Sequence, residues 1–349
     1  MFKNKPFTRL CIIFLSIYLI SYNYCMIYNT HDKFFVYNRS LLCTYCFRLT
    51  MYAVFKCAII LCVALPALGF PMAVNDVVFH LFTRANPTTS EPLLASVASI
   101  SQSRHFSNSR RTVFAIHNYG ENVSGNFIAF VAPALLAAED VNVVAVDWRS
   151  GSFGYVVGLA NVPQLGTIVA SFANILFTSF GYNSNNVRIV GVGLGAHAAG
   201  VAARKMNANI PHIFALDPSL VGWTENPDKL STRDATFVEV LHTTAGRYGY
   251  DRPLGHLDFY ANGGVTQPMC GDLPSCSHAY SYVYYAESIA AEAGAGAKFV
   301  GTQCASYEQA TLLQCNGTGS ATFGGIAAKT SVSGIYTFLT NVRPPFAQG

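Results

Sequence analysis

Short apolar runs alternate with longer segments of helical spacing along most of the 349-residue chain. Runs of this length are typical of strands, and apolar residues at helical spacing predict helices between them. The predicted strands cover 76–83, 112–116, 141–146, 187–190, 210–216, 237–241 and 334–339, and the predicted helices cover 126–138, 166–180 and the small residues after Gly195. Strands that alternate with helices indicate an α/β fold with a central, mostly parallel sheet flanked by helices. From residue 250 to the last strand we expect irregular structure.

Five residues that could belong to a functional site lie at the carboxyl ends of predicted strands. They are His117, Asp147, Gly193, Asp217 and His242 in chain order. Functional groups gather at the carboxyl ends of parallel strands. The sequence therefore predicts a site at this edge of the sheet.

The turn after the strand at 187–190 reads Gly191-Val192-Gly193-Leu194-Gly195. Its layout matches the nucleophile elbow G-x-S-x-G, which places a serine on a sharp strand-to-helix turn. Gly193 stands where the serine belongs. The pattern therefore predicts a hydrolase architecture without the attacking hydroxyl group.

An acid and a base should follow the nucleophile position along the chain. Asp217 has the right order for the acid, although Asp-Pro after a strand is also typical of a simple turn. His242, His256 and His278 all follow Asp217. Chain order alone leaves the base open among these three histidines.

Several longer motifs carry a resemblance to a known family. They are Asp147-Trp148-Arg149, Leu216-Asp217-Pro218, Gly255-His256-Leu257-Asp258-Phe259 and Cys276-Ser277-His278. Together they resemble the animal pancreatic-lipase family over residues 74–341, which implies an α/β-hydrolase fold. No trace of the C-terminal β-sandwich of some members is found. The missing serine makes the chain similar to the lipase-like yolk proteins of insects.

The resemblance also implies a role for individual residues. The family's acid falls on Asp217, and its histidine, just after the second cysteine of the lid loop, falls on His278. The backbone amides of Leu194 and Tyr119 would be the oxyanion donors, and Gly193 is the nucleophile position.

The chain departs from the family pattern around this site. Val192 replaces the usual histidine, Asn118 replaces a glycine of the oxyanion loop, and only five residues lie between Cys270 and Cys276. We expect so short a lid not to cover a pocket. These departures predict weak or absent catalysis, because loss of a serine nucleophile costs about 10⁶ in kcat.

A calcium site of some family members is also altered. In the segment before Asp234 they place carboxylates, whereas this chain has Asn226, Lys229 and Ser231. A hard cation requires several oxygen ligands. We therefore expect no calcium, and no other metal or cofactor.

The first 70 residues differ in composition from the rest of the chain. They contain six of the ten cysteines and two apolar runs of signal-peptide length. Such runs are too short to span a membrane. We expect Met51 to be the true start, with 1–50 an upstream extension or gene-model artefact, 51–69 a signal peptide and 70–349 the lipase-like domain. A signal anchor is the alternative, and both routes deliver the domain to the secretory pathway.

The cysteines of the remaining chain agree with an exported protein. Four remain, and sequential pairing gives disulfides Cys270–Cys276 and Cys304–Cys315. A metal site is the competing interpretation, but no C-x-x-C spacing is present among the four. Asn122 and Asn316 lie in glycosylation sequons.

The sequence leaves three classes of function open. The net charge of +4 without a basic cluster argues against nucleic acid as a partner. We expect a secreted protein, catalytically impaired or inactive, that binds or stores lipid or a hydrophobic ester in the former acyl pocket. Contact with a membrane or lipoprotein surface is compatible with this function. The alternatives are an active lipase or phospholipase A1-like carboxylic ester hydrolase in lipid catabolism, and a structural role outside the cell. Oligomeric state is left open.

Overall fold

The structure, a computed structural model, describes residues 72–349. The strands of this part are β1 (Val78–Phe82), β2 (Glu91–Leu93), β3 (Arg111–Ile116), β4 (Val141–Asp147), β5 (Val187–Val192), β6 (His212–Leu216), β7 (Phe237–His242), β8 (Leu257–Ala261), β9 (Val300–Cys304), β10 (Ser320–Thr322) and β11 (Gly334–Phe338). The helices are α1 (Val97–Ser101), α2 (Asn126–Ala138), α3 (Tyr155–Ser179), α4 (Leu194–Lys205), α5 (Pro274–Glu292) and α6 (Tyr307–Thr311). The upstream extension predicted for 1–50 and the signal peptide predicted for 51–69 lie outside the described residues.

All eleven strands form one sheet in the order β10, β9, β11, β8, β7, β6, β5, β3, β4, β1, β2. The pairs from β11 through β4 are parallel, and the strands at both edges pair antiparallel. The mostly parallel sheet is confirmed. Its inner strands are continuous apolar runs because both faces are covered, and β4 is buried at all seven positions.

Helices cover both faces of this sheet. Phe114 and Ile116 of β3 belong to the core shared with α3 and α4, whereas Val113 and Ala115 belong to the core shared with α2 and α5. Successive strand residues point to opposite faces. One short apolar run therefore supplies both cores.

Helix α3 is longer than the helix predicted over 166–180, since it begins at Tyr155. Gly158 and Pro163 concealed its first half because both are poor helix formers. Gly158 is needed for close packing, as a Cβ there would lie 2.8 Å from the Leu194 side chain. By length and composition α3 could cross a membrane, but here its apolar residues, such as Leu165, are buried in the core.

The prediction of irregular structure after residue 250 is wrong. Strands β8, β9 and β10 and helices α5 and α6 all lie there. The sequence pattern does not predict helix α5, because its buried face carries serine and tyrosine instead of aliphatic residues. The buried serines are Ser277, Ser281 and Ser288. The hydrophobic periodicity that indicates a helix is therefore weak in this segment.

The predicted disulfides Cys270–Cys276 and Cys304–Cys315 are both present. The first closes the loop that leads into α5. The second joins the end of β9 to the segment after α6. The first therefore fastens the start of α5, the helix that carries the base candidate His278.

Candidate active site

The turn from β5 into α4 has the backbone of a nucleophile elbow. Gly193 adopts φ 58° and ψ −116°, a strained region for a residue with a side chain. A Cβ at Gly191 would lie 2.2 Å from the Gly195 carbonyl oxygen, and one at Gly195 would lie 2.2 Å from the Ile116 carbonyl oxygen. Both flanking glycines are therefore required by close backbone contacts, whatever residue occupies position 193.

Asp217 and His278 form a hydrogen-bonded pair beside this turn. Asp217 follows β6 with φ 44°, and its buried Oδ2 lies 2.7 Å from His278 Nδ1. Oδ1 accepts the amides of Thr243 at 2.8 Å and Thr244 at 2.9 Å, and the Thr244 hydroxyl donates to Oδ2. With its Nδ1 proton donated to the carboxylate, His278 directs Nε2 toward the elbow.

Burial alone would raise the pKa of the Asp217 carboxyl group. The hydrogen bonds from His278, the Thr244 hydroxyl and the Thr243 amide outweigh burial and hold this pKa below its ordinary value. Asp217 is therefore an ionised carboxylate that orients the imidazole, as the acid of a hydrolase triad must.

The other two histidines have different partners. His242 is buried, with Nε2 2.9 Å from Asp258 Oδ1 and Nδ1 2.8 Å from the Tyr250 carbonyl oxygen. His256 Nδ1 accepts the Val238 amide at 3.0 Å. Of the three histidines that chain order left open, the structure brings only His278 to Asp217.

Asn118 occupies the space between the elbow and His278. Its Oδ1 accepts the backbone amides of Tyr119 at 2.9 Å and Leu194 at 3.0 Å, the two predicted oxyanion donors. Its Nδ2 lies 3.0 Å from His278 Nε2. Both backbone N–H groups need an acceptor, so the carboxamide must turn its Oδ1, and not its Nδ2, toward them. The side chain thus makes the contacts that an acyl carbonyl group would make.

The same carboxamide lies against Gly193. A Cβ built on Gly193 would come within 2.4 Å of Asn118 Cγ and Oδ1 and 2.5 Å of Nδ2. Asn118 and a side chain at position 193 therefore compete for one volume. The family resemblance predicts a glycine at position 118, but the sequence gives no sign that the Asn118 side chain would bond to the Tyr119 and Leu194 amides.

His117 and Trp148 hold the loop that carries Asn118. His117 Nδ1 donates to the Asn118 carbonyl oxygen at 2.7 Å, and the Trp148 amide donates to His117 Nε2 at 3.3 Å. The Trp148 indole donates to the His117 carbonyl oxygen at 3.0 Å. The loop is therefore fixed by buried groups.

The segment before Asp234 does not fit a calcium ion. Asp234 Oδ1 lies 2.6 Å from Arg204 Nη1, and its Oδ2 accepts the Ser231 amide at 2.9 Å. Lys229 donates to the Thr224 carbonyl oxygen and the Tyr250 hydroxyl. Two cationic side chains thus take the oxygens that a metal would need. Throughout residues 72–349, no group of three or more His, Cys, Asp or Glu residues is arranged to hold a metal ion.

A pocket of about 390 Å³ opens over Asn118 and His278. Its walls are mainly aromatic, with Tyr119, Tyr155, Tyr248 and Tyr282, and Glu121 also lines it. Ser275 is the contribution of the short Cys270–Cys276 loop, whose Leu273 is exposed to solvent. A second cavity of about 420 Å³ lies near the end of α5 and contains none of the candidate site residues. Sequence patterns revealed neither the tyrosine wall nor Glu121, because these residues come from four separate segments.

The sheet order, the elbow and the Asp217–His278 pair define an α/β-hydrolase fold. A family model described as Lipase matches residues 66–340. The chain is 36% identical to the pancreatic triacylglycerol lipase of Homo sapiens over 264 residues, 68% of this chain and 56% of that protein. It is 34% identical to the same lipase of Sus scrofa over 267 residues, 69% and 58% of the two chains. The chain belongs to the lipase family, and it spans little more than half the length of these relatives.

The chain also resembles solved structures. The structure of the Francisella virulence factor BioJ is 11% identical and matches 45% of each chain with a TM-score of 0.30.

Proposed function

We propose that this lipase-family protein binds a lipid or a hydrophobic ester in the pocket above Asn118 without hydrolysing it. One observation carries the proposal: the Asn118 carboxamide accepts both oxyanion amides and covers a Gly193 that has no side chain. The site lacks a nucleophile, and its oxyanion donors are already bonded. Acyl transfer requires both.

The pocket itself supports a binding role. It is large enough for part of a ligand chain, and the aromatic rings of Tyr155 and Tyr282 give it an apolar wall. The polar groups at its floor, Asn118 and His278, are hydrogen-bonded to each other. An apolar ligand above them therefore leaves no floor group unpaired.

Ester hydrolysis by water is the second candidate, and the intact Asp217–His278 pair is the observation that favours it. His278 Nε2 would have to take a proton from water, but it already accepts from Asn118 Nδ2 at 3.0 Å. A water that attacks an ester would also need the volume that the carboxamide fills. The structure therefore favours binding over turnover.

Secretion is part of the proposal. The two disulfides support it, because such bonds persist in oxidising compartments. The sequons at Asn122 and Asn316 are in keeping with passage through the secretory pathway.

The test combines binding and turnover on the full chain recovered from secreting cells. A long-chain fluorescent ester is added, fluorescence change reports binding, and chromatography of the extracted mixture reports free acid. We expect saturable binding with no free acid above the buffer rate. Hydrolysis that disappears in a His278→Ala variant would overturn the proposal and establish the hydrolase instead.

A further inference from the structure

The pocket wall includes a charged side chain, Glu121, that has no role in the site described above. Glu121 lines the pocket, and its Oε2 is buried with no hydrogen-bond partner among residues 72–349. A carboxylate oxygen removed from water without a partner is unfavourable. The wall therefore includes one carboxylate side chain, with no lysine or arginine among the described residues that line the pocket.

Tyrosine rings surround the same space. The rings of Tyr119 and Tyr155 meet edge to face, with centroids 5.1 Å apart and planes at 87°. Tyr155 is held by its hydroxyl, which donates to the Val221 carbonyl oxygen at 2.6 Å. The buried Tyr282 packs its ring on Phe127 at 6.1 Å. Two of the aromatic walls are therefore at right angles, and Tyr155 and Tyr282 are both fixed in place.

The floor of the pocket cannot supply the usual recognition of a carbonyl group. The oxyanion amides of Tyr119 and Leu194 are bonded to Asn118 Oδ1. Selectivity for a ligand must therefore come from the walls, and aromatic faces with a carboxylate are the groups that recognise an organic cation.

We propose that this pocket recognises an organic ammonium group on its apolar ligand, with tyrosine rings around the cation and Glu121 as its counter-ion. The inference rests on the proposed function, because it names the ligand class of the same pocket. Tyr248 is half exposed on the loop at the pocket rim and provides the wall nearest to solvent.

The test uses a matched pair of esters and isothermal titration calorimetry of the full chain. Octanoylcholine carries a quaternary ammonium group, and its dimethylbutyl isostere has carbon in place of the charged nitrogen. We expect octanoylcholine to bind about tenfold more tightly, the ratio that a cation–π and counter-ion contribution of ordinary size produces. Lysophosphatidylcholine, as a third probe, distinguishes a phospholipid headgroup from a simple ammonium ester as the source of the cation.

Variants locate the effect. Glu121→Gln should reduce the preference for octanoylcholine to about twofold, since the counter-ion is lost. Glu225→Gln is the matched control, because it removes the same charge from an exposed side chain that does not line the pocket. At the rim, Tyr248→Leu should lower the preference and Tyr248→Phe should keep it. The rim pair serves even where Glu121→Gln fails to fold.

The outcomes separate the two proposals. Equal binding of both esters overturns the ammonium inference and leaves lipid binding in place. Binding of neither ester overturns the ammonium inference, and the long-chain fluorescent ester then tests the proposed function separately. Release of octanoate during the titration overturns the non-catalytic function, while a preference that follows Glu121 and Tyr248 still supports the ammonium site.

Discussion

Introducing a serine at position 193 alone should not produce an esterase. In a Gly193→Ser variant the new Cβ would lie within 2.4 Å of the Asn118 side chain. That carboxamide also holds both oxyanion amides. We therefore expect the double variant Gly193→Ser with Asn118→Gly to be the first active form, because it supplies the nucleophile and frees its donors together.

The contacts of Asn118 determine how much stability Gly193→Ser should lose and how much activity the double variant should gain. Expelling the Asn118 carboxamide breaks its contacts with Tyr119, Leu194 and His278. At about 1 kcal/mol net for each hydrogen bond, Gly193→Ser alone should lower the free energy of unfolding by about 3 kcal/mol. For activity, one oxyanion donor is worth about 10²–10³ in kcat. The double variant should therefore exceed Gly193→Ser by at least about 100-fold.

Hydrolysis of p-nitrophenyl butyrate measures the rate, and labelling with a fluorophosphonate reports whether Ser at position 193 is activated. Asn118→Gly alone is the control, since it opens the site without a nucleophile and should remain inactive. Adding His278→Ala to the double variant should abolish the activity. If Gly193→Ser alone matches the double variant, Asn118 does not block the site and the reasoning fails.

Three further predictions concern the framework of the site and use urea unfolding. Asp217→Asn should cost about 2–3 kcal/mol at neutral pH. Folding lowers the pKa of this carboxyl group. The loss of stability in Asp217→Asn should therefore be full above about pH 4 and should decrease as the pH falls through the lower folded pKa. A loss of stability that stays constant in acid contradicts this prediction. Gly195→Ala should lower the free energy of unfolding by about 3 kcal/mol, because its Cβ would meet the Ile116 carbonyl oxygen. Gly154→Ala is the control: its Cβ would meet nothing within 4 Å, and it should cost less than about 1 kcal/mol. Equal costs would refute the close contact at Gly195. Replacing Cys304 and Cys315 by serine opens a loop with a sequence separation of 11 and should cost about 3 kcal/mol; an unchanged urea midpoint would show that the loop is held by other contacts.

Much of the fold was accessible from the sequence because its inner strands are covered on both faces. The run that became β4 needs only apolar, β-branched residues to be recognised, and α2 has the bounds predicted for it. Helix α5 was missed because serines and tyrosines form its buried face. A small hydroxyl group can pack in a core when its hydrogen bond is local, as Ser281 shows by donating to the His278 carbonyl oxygen.

The candidate site divides in the same way. The elbow glycines follow from backbone contacts that any member of the architecture must make, so Gly193 could be placed from its neighbours alone. His278 could be chosen over His242 and His256 only by family resemblance, since chain order does not encode distance. The contacts of Asn118 could not be derived at all, because they depend on the position of a side chain relative to α4 and α5.

The Asn118 carboxamide has a consequence for how this protein can change over generations. A mutation that places serine at position 193 meets an occupied volume, and a mutation that places glycine at position 118 opens a site with no nucleophile. Neither single step gains activity, and the first is expected to cost stability. Activity at this site is therefore difficult to gain by single steps, and a chain that carries Gly193 and Asn118 can more readily refine a binding pocket.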